Sequence, residues 1–522
     1  MTFLIEIVES NLQIKQGVIH GANKIGRVLQ DELIKTYKDD GVIIVTDGSR
    51  DLFDDYVKHI NCDNAAVYYA TYGSLLELIK TTELRPNVGF VPDLKIQTLL
   101  EFRNFSKLQF PVVGLIHSLG NRPPFRDMEI VKDLIGDSDV LICPSISTKE
   151  TAMKLGLNES HTTVIPYGID LKKFSPVPSK SIKNTLRKQE NIDSDRHVIL
   201  ILSRITPFLK MDLVPVVRLL PELIRSDPKL LLLIVGNVHQ PTYVDEVKAL
   251  IKATNLDSHV KWIDSPKQQS IETYYQLADI FLSLSDFSGE TFGLTIAEGL
   301  ASGLPAVISN FSGYKDHFTD GCEGFYISTT TGAIDIDGAF YSHSLKNFGD
   351  QYTQSIALNM PQLKSRLDTL LTDSKQRLKM GKNARKHAET VYQVDTMINN
   401  YKACFKACIK SFKAGLNTMP QPLYKNISDT LSHFVSTPLQ DTTVFEISNY
   451  GLEVLEGKKP FASFENHQNR YMLIKEILLC LYQKEYSLKD LLNKIDKPDE
   501  IIIKNVLYML KHYLIVATFN SK

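Results

Sequence analysis

Short apolar runs separated by longer amphipathic stretches set the rhythm of this chain. Six runs come first: "GVIIVTD" (41–47), "AAVYYAT" (65–71), "NVGFV" (87–91), "PVVGLIH" (111–117), "DVLIC" (139–143) and "TVIPYG" (163–168). Six more follow a polar break: "HVILILS" (197–203), "LLLLIVG" (230–236), "HVKWI" (259–263), "DIFLSLS" (279–285), "PAVIS" (305–309) and "GFYI" (324–327). Continuous rather than alternating apolar character predicts parallel strands covered on both faces. Helical patterns between the runs predict βα units. Two such series predict an α/β chain with two doubly wound, Rossmann-like domains. In open parallel sheets ligands sit beyond the carboxyl ends of the strands. The expected site is therefore a cleft that both domains face.

The break between the two series, "SPVPSKSIKNTLRKQENIDSD" (175–195), is polar and lysine-rich and reads as a linker or domain edge. Residues 329–352 lack a clear period and read as a long surface loop or insertion. From about 365 to 414 the pattern is helical with mixed charge. The boundaries expected are a first domain over 1–175, a second over 190–390, a helix over 391–415 returning to the first, and a module over 430–522. In that module "YMLIKEILLCLYQ" (471–483), "SLKDLLNKI" (487–495) and "PDEIIIKNVLYMLKHYL" (498–514) predict three helices, and "IVATF" (515–519) a strand. Ser487 and Asp490 stand in a capping-box-like arrangement. The module is expected to be mainly helical and winged-helix-like.

Composition narrows the classes. A length of 522 residues exceeds one ordinary core. Hydrophobic residues at 43% and charged residues at 23% are globular usage. With 59 Lys+Arg against 60 Asp+Glu, the net charge of −1 supplies no bulk attraction to nucleic acid or anionic membrane. Six cysteines, without a CxxC pair or a histidine cluster, read as free thiols in a reducing compartment. The start "MTFLIEIVESNLQ" lacks the basic region of a signal peptide, and no apolar run approaches the ~18–20 residues that span a bilayer. A cytoplasmic enzyme is expected. The basic, partly apolar helix "NNYKACFKACIKSFKAG" (399–415) leaves room for peripheral contact with the inner face of a membrane, against the alternative of a packing helix. In the terminal module Lys504, Lys511 and His512 share a helix with Asp499 and Glu500, and 451–522 hold 11 Lys+Arg against 9 Asp+Glu. That balance is poor for a phosphate footprint. Docking of protein (a second copy, an acceptor or a partner) is expected of the module instead of nucleic acid.

The chemistry concentrates in "SDFSGETFGLTIAEGLASGLPAV" (285–307). "DIFLSLS" predicts a strand, and "TIAEGLASG" a helix starting near Gly293 or Leu294. Glu290 then lies on the strand-to-helix loop. The amides of Thr291, Phe292, Gly293 and Leu294 gather at a helix start, where the macrodipole and unpaired N–H groups favour an anion such as a diphosphate. Gly293 permits close backbone approach. Glu298, one turn into the helix, is positioned to accept from two vicinal hydroxyls such as those of a ribose. Glu290 meets what lies beyond the phosphates. The order reads sugar, diphosphate, ribose. A pair of glycosidase carboxylates is the rival, but that needs carboxylates facing each other ~5–9 Å apart across a bond, and one loop-helix unit fits it poorly.

At these residues the chain resembles the GT-B glycosyltransferases of the family 4 type, the glycosyl transferases group 1. "ETFGLTIAEGLASGLPAV" is similar to the family's E-x-F-G-x-x-x-x-E-A-x-A-x-G-x-P-V-V, with Gly299 for the usual alanine. "VIPYGIDLKKFSP" (164–176), "SRITPFLKMDLVPVVRLLPELIRSDPKLLLLIVG" (203–236) and "RLKMGKNARKHAETVY" (377–392) resemble three further family segments in the expected order. The resemblance implies that Arg204 and Lys210 are the cations aimed at a donor diphosphate, although they stand six apart where five is usual. It implies that His117 faces the donor sugar and that Gly17, in "QGVIHGANKIGRVLQDEL" (16–33), touches the donor. It also implies that Ser312-Gly313 and Asp316 replace a Gly-Gly and an acid at the floor of the donor site. The implied donor is a UDP-, GDP- or ADP-sugar, the implied outcome retention at the sugar, and no cofactor or metal is expected. Asp139 and Ser145 read as packing residues. The "DID" at 335–337 lies in the irregular segment and is not read as a metal motif. The competing reading is a catalytically weak GT-B scaffold that binds or regulates through its terminal module.

Overall fold

The computed structural model describes residues 1–13, 21–106, 108–120, 122–264, 266, 271–334, 351–412, 435–460 and 468–519. Two compact units emerge: Met1–Gly168 with Val391–Lys425, and Ile169–Thr390 with Asn426–Lys522.

The first unit is built on seven parallel strands: β1 Phe3–Glu6, β2 Val42–Val45, β3 Val67–Ala70, β4 Val88–Val91, β5 Val112–Leu115, β6 Val140–Cys143 and β7 Thr162–Val164. Their order is β3-β2-β1-β4-β5-β6-β7. The central strand β1 was not among the expected elements. It is four residues long, and Glu6 ends its apolar run. β2 to β6 lie within the runs named above, whereas β7 starts one residue before its run and ends at Val164, ahead of Pro166. Helix Val394–Ser411 packs on this sheet: Phe405 meets Phe3 at 5.4 Å and Phe90 at 5.6 Å between ring centroids. Asp139 and Ser145 hold structure. Asp139 accepts from Arg103 (2.6 Å) and from the amides of Val112 (2.7 Å) and Gly136 (2.6 Å), while Ser145 caps the helix Ile146–Lys154.

The second unit carries β8 His197–Leu202, β9 Leu230–Gly236, β10 Val260–Asp264, β11 Ile280–Ser283, β12 Ala306–Ser309 and β13 Gly324–Ile327, all parallel, in the order β10-β9-β8-β11-β12-β13. All six match the expected runs. The polar stretch read as a linker or domain edge contains the helix Lys180–Gln189, capped by Ser179, near the start of the second unit. Its apparent polarity hides a docking face: Lys183 and Arg187 reach Asp279 at 2.7 and 2.6 Å, and Arg187 is buried. Charges used in pairs look like solvent-facing charges when read from composition.

The irregular stretch begins with β14 Thr329–Thr330, which pairs antiparallel with β15 Ala357–Leu358. The "DID" lies outside the described residues. The terminal segment folds as helices Gln468–Gln483, Leu488–Lys494 and Asp499–Lys511 with a three-stranded antiparallel sheet, β17-β16-β18, of β16 Val444–Ile447, β17 Tyr486–Ser487 and β18 Ile515–Thr518. The helices and β18 follow the expectation. The central strand β16 and the helix Asn449–Leu455 were not foreseen. Ser487 accepts from the Asp490 amide (3.1 Å) and donates to its carboxylate (2.7 Å).

Candidate functional site

Both sheets run 3-2-1-4 at their centres, so the strand order reverses between β1 and β4 and again between β8 and β11. Ligands of doubly wound folds sit at such switch points, beyond the carboxyl ends of the strands. In the second unit the two loops that leave this point are 203–213 and 284–293. They carry Arg204, Lys210, Glu290, Thr291, Phe292 and Gly293.

The loops are tied to each other. The Lys210 carbonyl accepts from the Ser285 hydroxyl at 2.8 Å and from the Asp286 amide at 3.4 Å. The Lys210 ammonium forms an ion pair with the Glu290 carboxylate, both part-buried. A group expected to meet phosphate and a group expected to meet sugar thus meet one another. Arg204 follows β8 and is half-buried, and its guanidinium has no ion pair among the described residues. A cation on a half-buried switch-point loop suits an incoming anion.

Helix Leu294–Ala301 begins as expected, with Gly293 as its N-cap at φ 90° and ψ 70°. Only glycine takes this conformation cheaply. A Cβ there would also lie 2.4 Å from the Tyr314 ring. Glu298 is buried on this helix and accepts from the Tyr275 hydroxyl at 2.9 Å. Burial and the neighbouring carboxylate push Tyr275 far above the ordinary phenol range, so it remains a donor.

The floor is laid by Ser312–Asp316, a short 3₁₀ turn. The Gly313 amide donates to the Glu290 carbonyl at 3.3 Å, and a Cβ on Gly313 would meet the Thr291 oxygen at 1.9 Å. Tyr314 hydrogen-bonds Ser283 at 2.9 Å. His317 is buried, stacks near Phe292 at 4.6 Å and donates from Nε2 to the Phe292 carbonyl. Burial lowers its pKa to about 4, against the pull of that carbonyl. The neutral ring therefore fixes the Phe292 peptide at the helix start.

His117 belongs to the first unit, beyond the end of β5. Its Nε2–H donates to the Pro92 carbonyl at 2.9 Å, and its Nδ1 accepts from the Tyr167 hydroxyl at 2.9 Å. Burial lowers its pKa, opposed by the charge of Asp93 and the Pro92 bond. Gly17 lies outside the described residues. Among the described residues no group of His, Cys, Asp and Glu is arranged to hold a metal ion, and no helix is long and apolar enough to cross a membrane.

The structure thus brings together Lys210 and Glu290, by an ion pair, on the approach to the helix whose start carries Thr291, Phe292, Gly293 and Leu294 and whose first turns carry Glu298; Arg204 stands on the same loop as Lys210. Tyr275, Tyr314 and His317 were missed by the sequence reading. No local spacing marks them, and their roles arise only when distant segments fold against the loop.

The doubly wound units, with the loops above at the second switch point, define a protein of the GT-B class. Residues 182–336 match the family model for glycosyl transferases group 1. It is 27% identical over 173 residues to the alpha-monoglucosyldiacylglycerol synthase of Acholeplasma laidlawii, covering 33% of this chain and 42% of that protein. It is 25% identical over 240 residues to the D-inositol 3-phosphate glycosyltransferase of Kineococcus radiotolerans, covering 45% and 49%. The chain thus spans about half or less of the length of these curated relatives. Among solved structures it is similar to Anabaena Alr3699/HepE in complex with UDP and glucose, with TM-score 0.54 and 17% identity over 78% of this chain and all of that one. At that identity the likeness concerns the fold.

Proposed function

We propose that this chain transfers a sugar from a nucleoside diphosphate sugar to a hydroxyl of an acceptor, with retention at the sugar carbon. The observation that carries this reading is the Lys210–Glu290 ion pair, which joins the two switch-point loops, one carrying Arg204 and the other leading into a glycine-capped helix start. The helix-tip amides and Arg204 hold the diphosphate. Glu298, kept in line by Tyr275, accepts from the ribose hydroxyls. On donor entry Lys210 turns to the phosphates and releases Glu290 to the sugar hydroxyls, a positioning role. The cations then stabilise charge growing on the leaving diphosphate, whose oxygen takes the proton of the incoming hydroxyl on the same face of the sugar.

The donor base is a uridine, guanosine or adenosine diphosphate, and HepE, bound to UDP and glucose, makes UDP the first probe. The relatives are named for unlike molecules, one for the glycolipid it makes, monoglucosyldiacylglycerol, and the other for D-inositol 3-phosphate. Acceptor choice is therefore assigned to parts of the chain outside the shared segment. Peripheral contact with a membrane surface fits the lipid case. Calorimetric titration with UDP, GDP and ADP and their glucose conjugates, followed by a nucleotide-release assay with and without EDTA, tests the reading. Binding of one nucleotide at micromolar affinity, release unaffected by EDTA, and an α-linked product by NMR are expected. No nucleotide binding overturns it, and a β-linked product overturns retention.

A further inference from the structure

Behind the two donor loops lies a fully buried polar cluster that the proposed reaction does not use. It is made by consecutive residues of the terminal segment, Lys511 and His512, both with no exposed surface. Lys511 forms an ion pair with Asp286 and donates to the Thr353 carbonyl at 2.9 Å. His512 Nε2 meets the Asp212 carboxylate at 2.8 Å and its Nδ1 the Tyr508 carbonyl at 2.8 Å. Both ring nitrogens thus face acceptors, which an imidazolium satisfies. The His512 carbonyl in turn accepts from Arg218 at 2.9 Å, and the Tyr513 hydroxyl donates to Glu222 at 2.8 Å. Tyr513 itself sits at φ 57°. A bulky residue in the left-handed region is held there by its surroundings at a cost.

The two aspartates are sited to matter. Asp286 follows Ser285, whose hydroxyl holds the Lys210 carbonyl, and precedes Glu290 by four residues. Asp212 follows Lys210 by two residues. It accepts from the Val214 amide and the Tyr243 hydroxyl, both at 2.9 Å, so it fixes the exit of loop 203–213 into helix Val214–Ser226. Burial works against the Asp212 carboxylate, but His512, Lys511 and these hydrogen bonds outweigh it and keep it ionised. Each donor loop is therefore pinned from behind by one of two adjacent residues that lie some 220–300 positions further along the chain.

We propose, resting on the donor-site reading above, that Lys511 and His512 are positioning residues of the donor site: through Asp286 and Asp212 they set where Lys210 and Glu290 stand. The terminal segment is then a working part of the donor half rather than an appended module. A lysine and a histidine that served only to fill space would be replaced at lower desolvation cost by apolar side chains. Ion pairs, by contrast, fix loops in register.

The test uses the full chain with Lys511→Met, with the neutral pair Lys511→Met/Asp286→Asn, and with His512→Leu against His512→Gln, which keeps a donor toward Asp212. Folding is checked by thermal unfolding. Amide exchange is read in peptides covering 203–213 and 284–293 and, as internal reference, in β9 and β10. UDP, GDP and ADP affinities are read by calorimetry. Expected are exchange at least tenfold faster in the two loops with the reference strands unchanged, and a loss of at least tenfold in nucleotide affinity, partly restored by His512→Gln. Should Lys511→Met fail to fold, the neutral pair is read in its place. A lower Tm with loop exchange and affinity within twofold of wild type overturns the inference and leaves a structural role. If wild type binds none of the three nucleotides while the loops loosen as expected, the donor reading falls and the positioning stands.

Discussion

Glu298 and Arg204 give the sharpest single-residue test because their environments differ. Glu298 is buried with Tyr275 as its partner, whereas Arg204 is half-buried on an open loop. Replacing either by alanine should cost about 2–4 kcal/mol in donor affinity or turnover, the scale of a charged hydrogen bond in a closed site. Steady-state kinetics with the matching sugar nucleotide check it, and two variants near wild type would refute the site. Stability should move differently: Glu298→Ala takes the nearer acceptor from a buried phenol and leaves it only the Thr295 carbonyl at 3.2 Å, so its Tm falls, while Arg204→Ala leaves Tm unchanged. His317 adds a pH dependence. Its folded pKa is lowered to about 4 by burial, from an ordinary ~6.5. Below pH 6.5 the unfolded chain binds a proton that the folded chain refuses. This contribution is intact above 6.5 and is lost as pH falls toward 4, by about 3 kcal/mol. His317→Gln can still donate to the Phe292 carbonyl but does not titrate. Urea unfolding at pH 7 and pH 4.5 should therefore show a smaller loss for the variant than for wild type. Equal losses would mean that His317 does not set the acid sensitivity. One departure from the family pattern also has its reason at this scale: a Cβ at Gly299 would stand 3.0 Å from Phe281 Cγ, so the ring on β11 fills the space an alanine methyl would take.

At the scale of elements, the donor loop depends on the turn beneath it. Gly313→Ala sets a Cβ 1.9 Å from the Thr291 oxygen, a backbone atom that moves only if the loop moves. The expected loss is about 1–3 kcal/mol of stability, typical of overpacking, together with weaker nucleotide binding, because Thr291 and Phe292 carry the helix-tip amides. Thermal unfolding and UDP titration of this variant check both, and a stable variant with intact binding would show that the floor is not coupled to the loop. The same elements show what could be read beforehand. Strands buried on both faces are uninterrupted apolar runs, so β8, β9 and β11 to β13 were legible one by one; the edge strand β10 is part-exposed, carries Lys261 and was legible from its place in the series. The loop chemistry was legible too, because glycine, glutamate and helix start follow each other within a dozen residues. What escaped were elements whose identity depends on a distant neighbour. β1 is four residues ending in Glu6, whose carboxylate meets Tyr72. Helix Lys180–Gln189 looks solvated until Asp279 is beside it. β16 is polar at Glu446 and becomes a central strand only between β17 and β18. The Lys210–Glu290 pair belongs to the same class, since eighty residues separate its members.

The whole chain crosses between its units three times, after Gly168, after Thr390 and after Lys425. The last return matters most for stability. Residues 436–439 run beside β14: Thr437 donates to Thr329 at 2.9 Å, Leu439 to Thr331 at 2.5 Å, and Ser436 exchanges bonds with Thr329. Beyond them Lys511, His512 and Tyr513 reach Asp286, Asp212 and Glu222. A chain ended at Lys425 keeps every described residue of the first unit. From the second it removes the partners of two buried aspartates and one strand-like edge. The loss of Lys511 and His512 removes what keeps Asp212 ionised and what pairs Asp286, whose pKa burial already pushes up to about 7. The apolar contacts of the terminal helices go with them, and domains hold only about 5–15 kcal/mol in all. Calorimetry of the truncated chain should therefore show the transition of the second unit lost or far lower, with that of the first unit retained. Far-UV dichroism should fall by more than the helices removed. A truncated chain that melts like the full one in both transitions, and binds nucleotide equally well, would mean that the aspartates find other partners. It would also return the terminal segment to the status of an independent docking module.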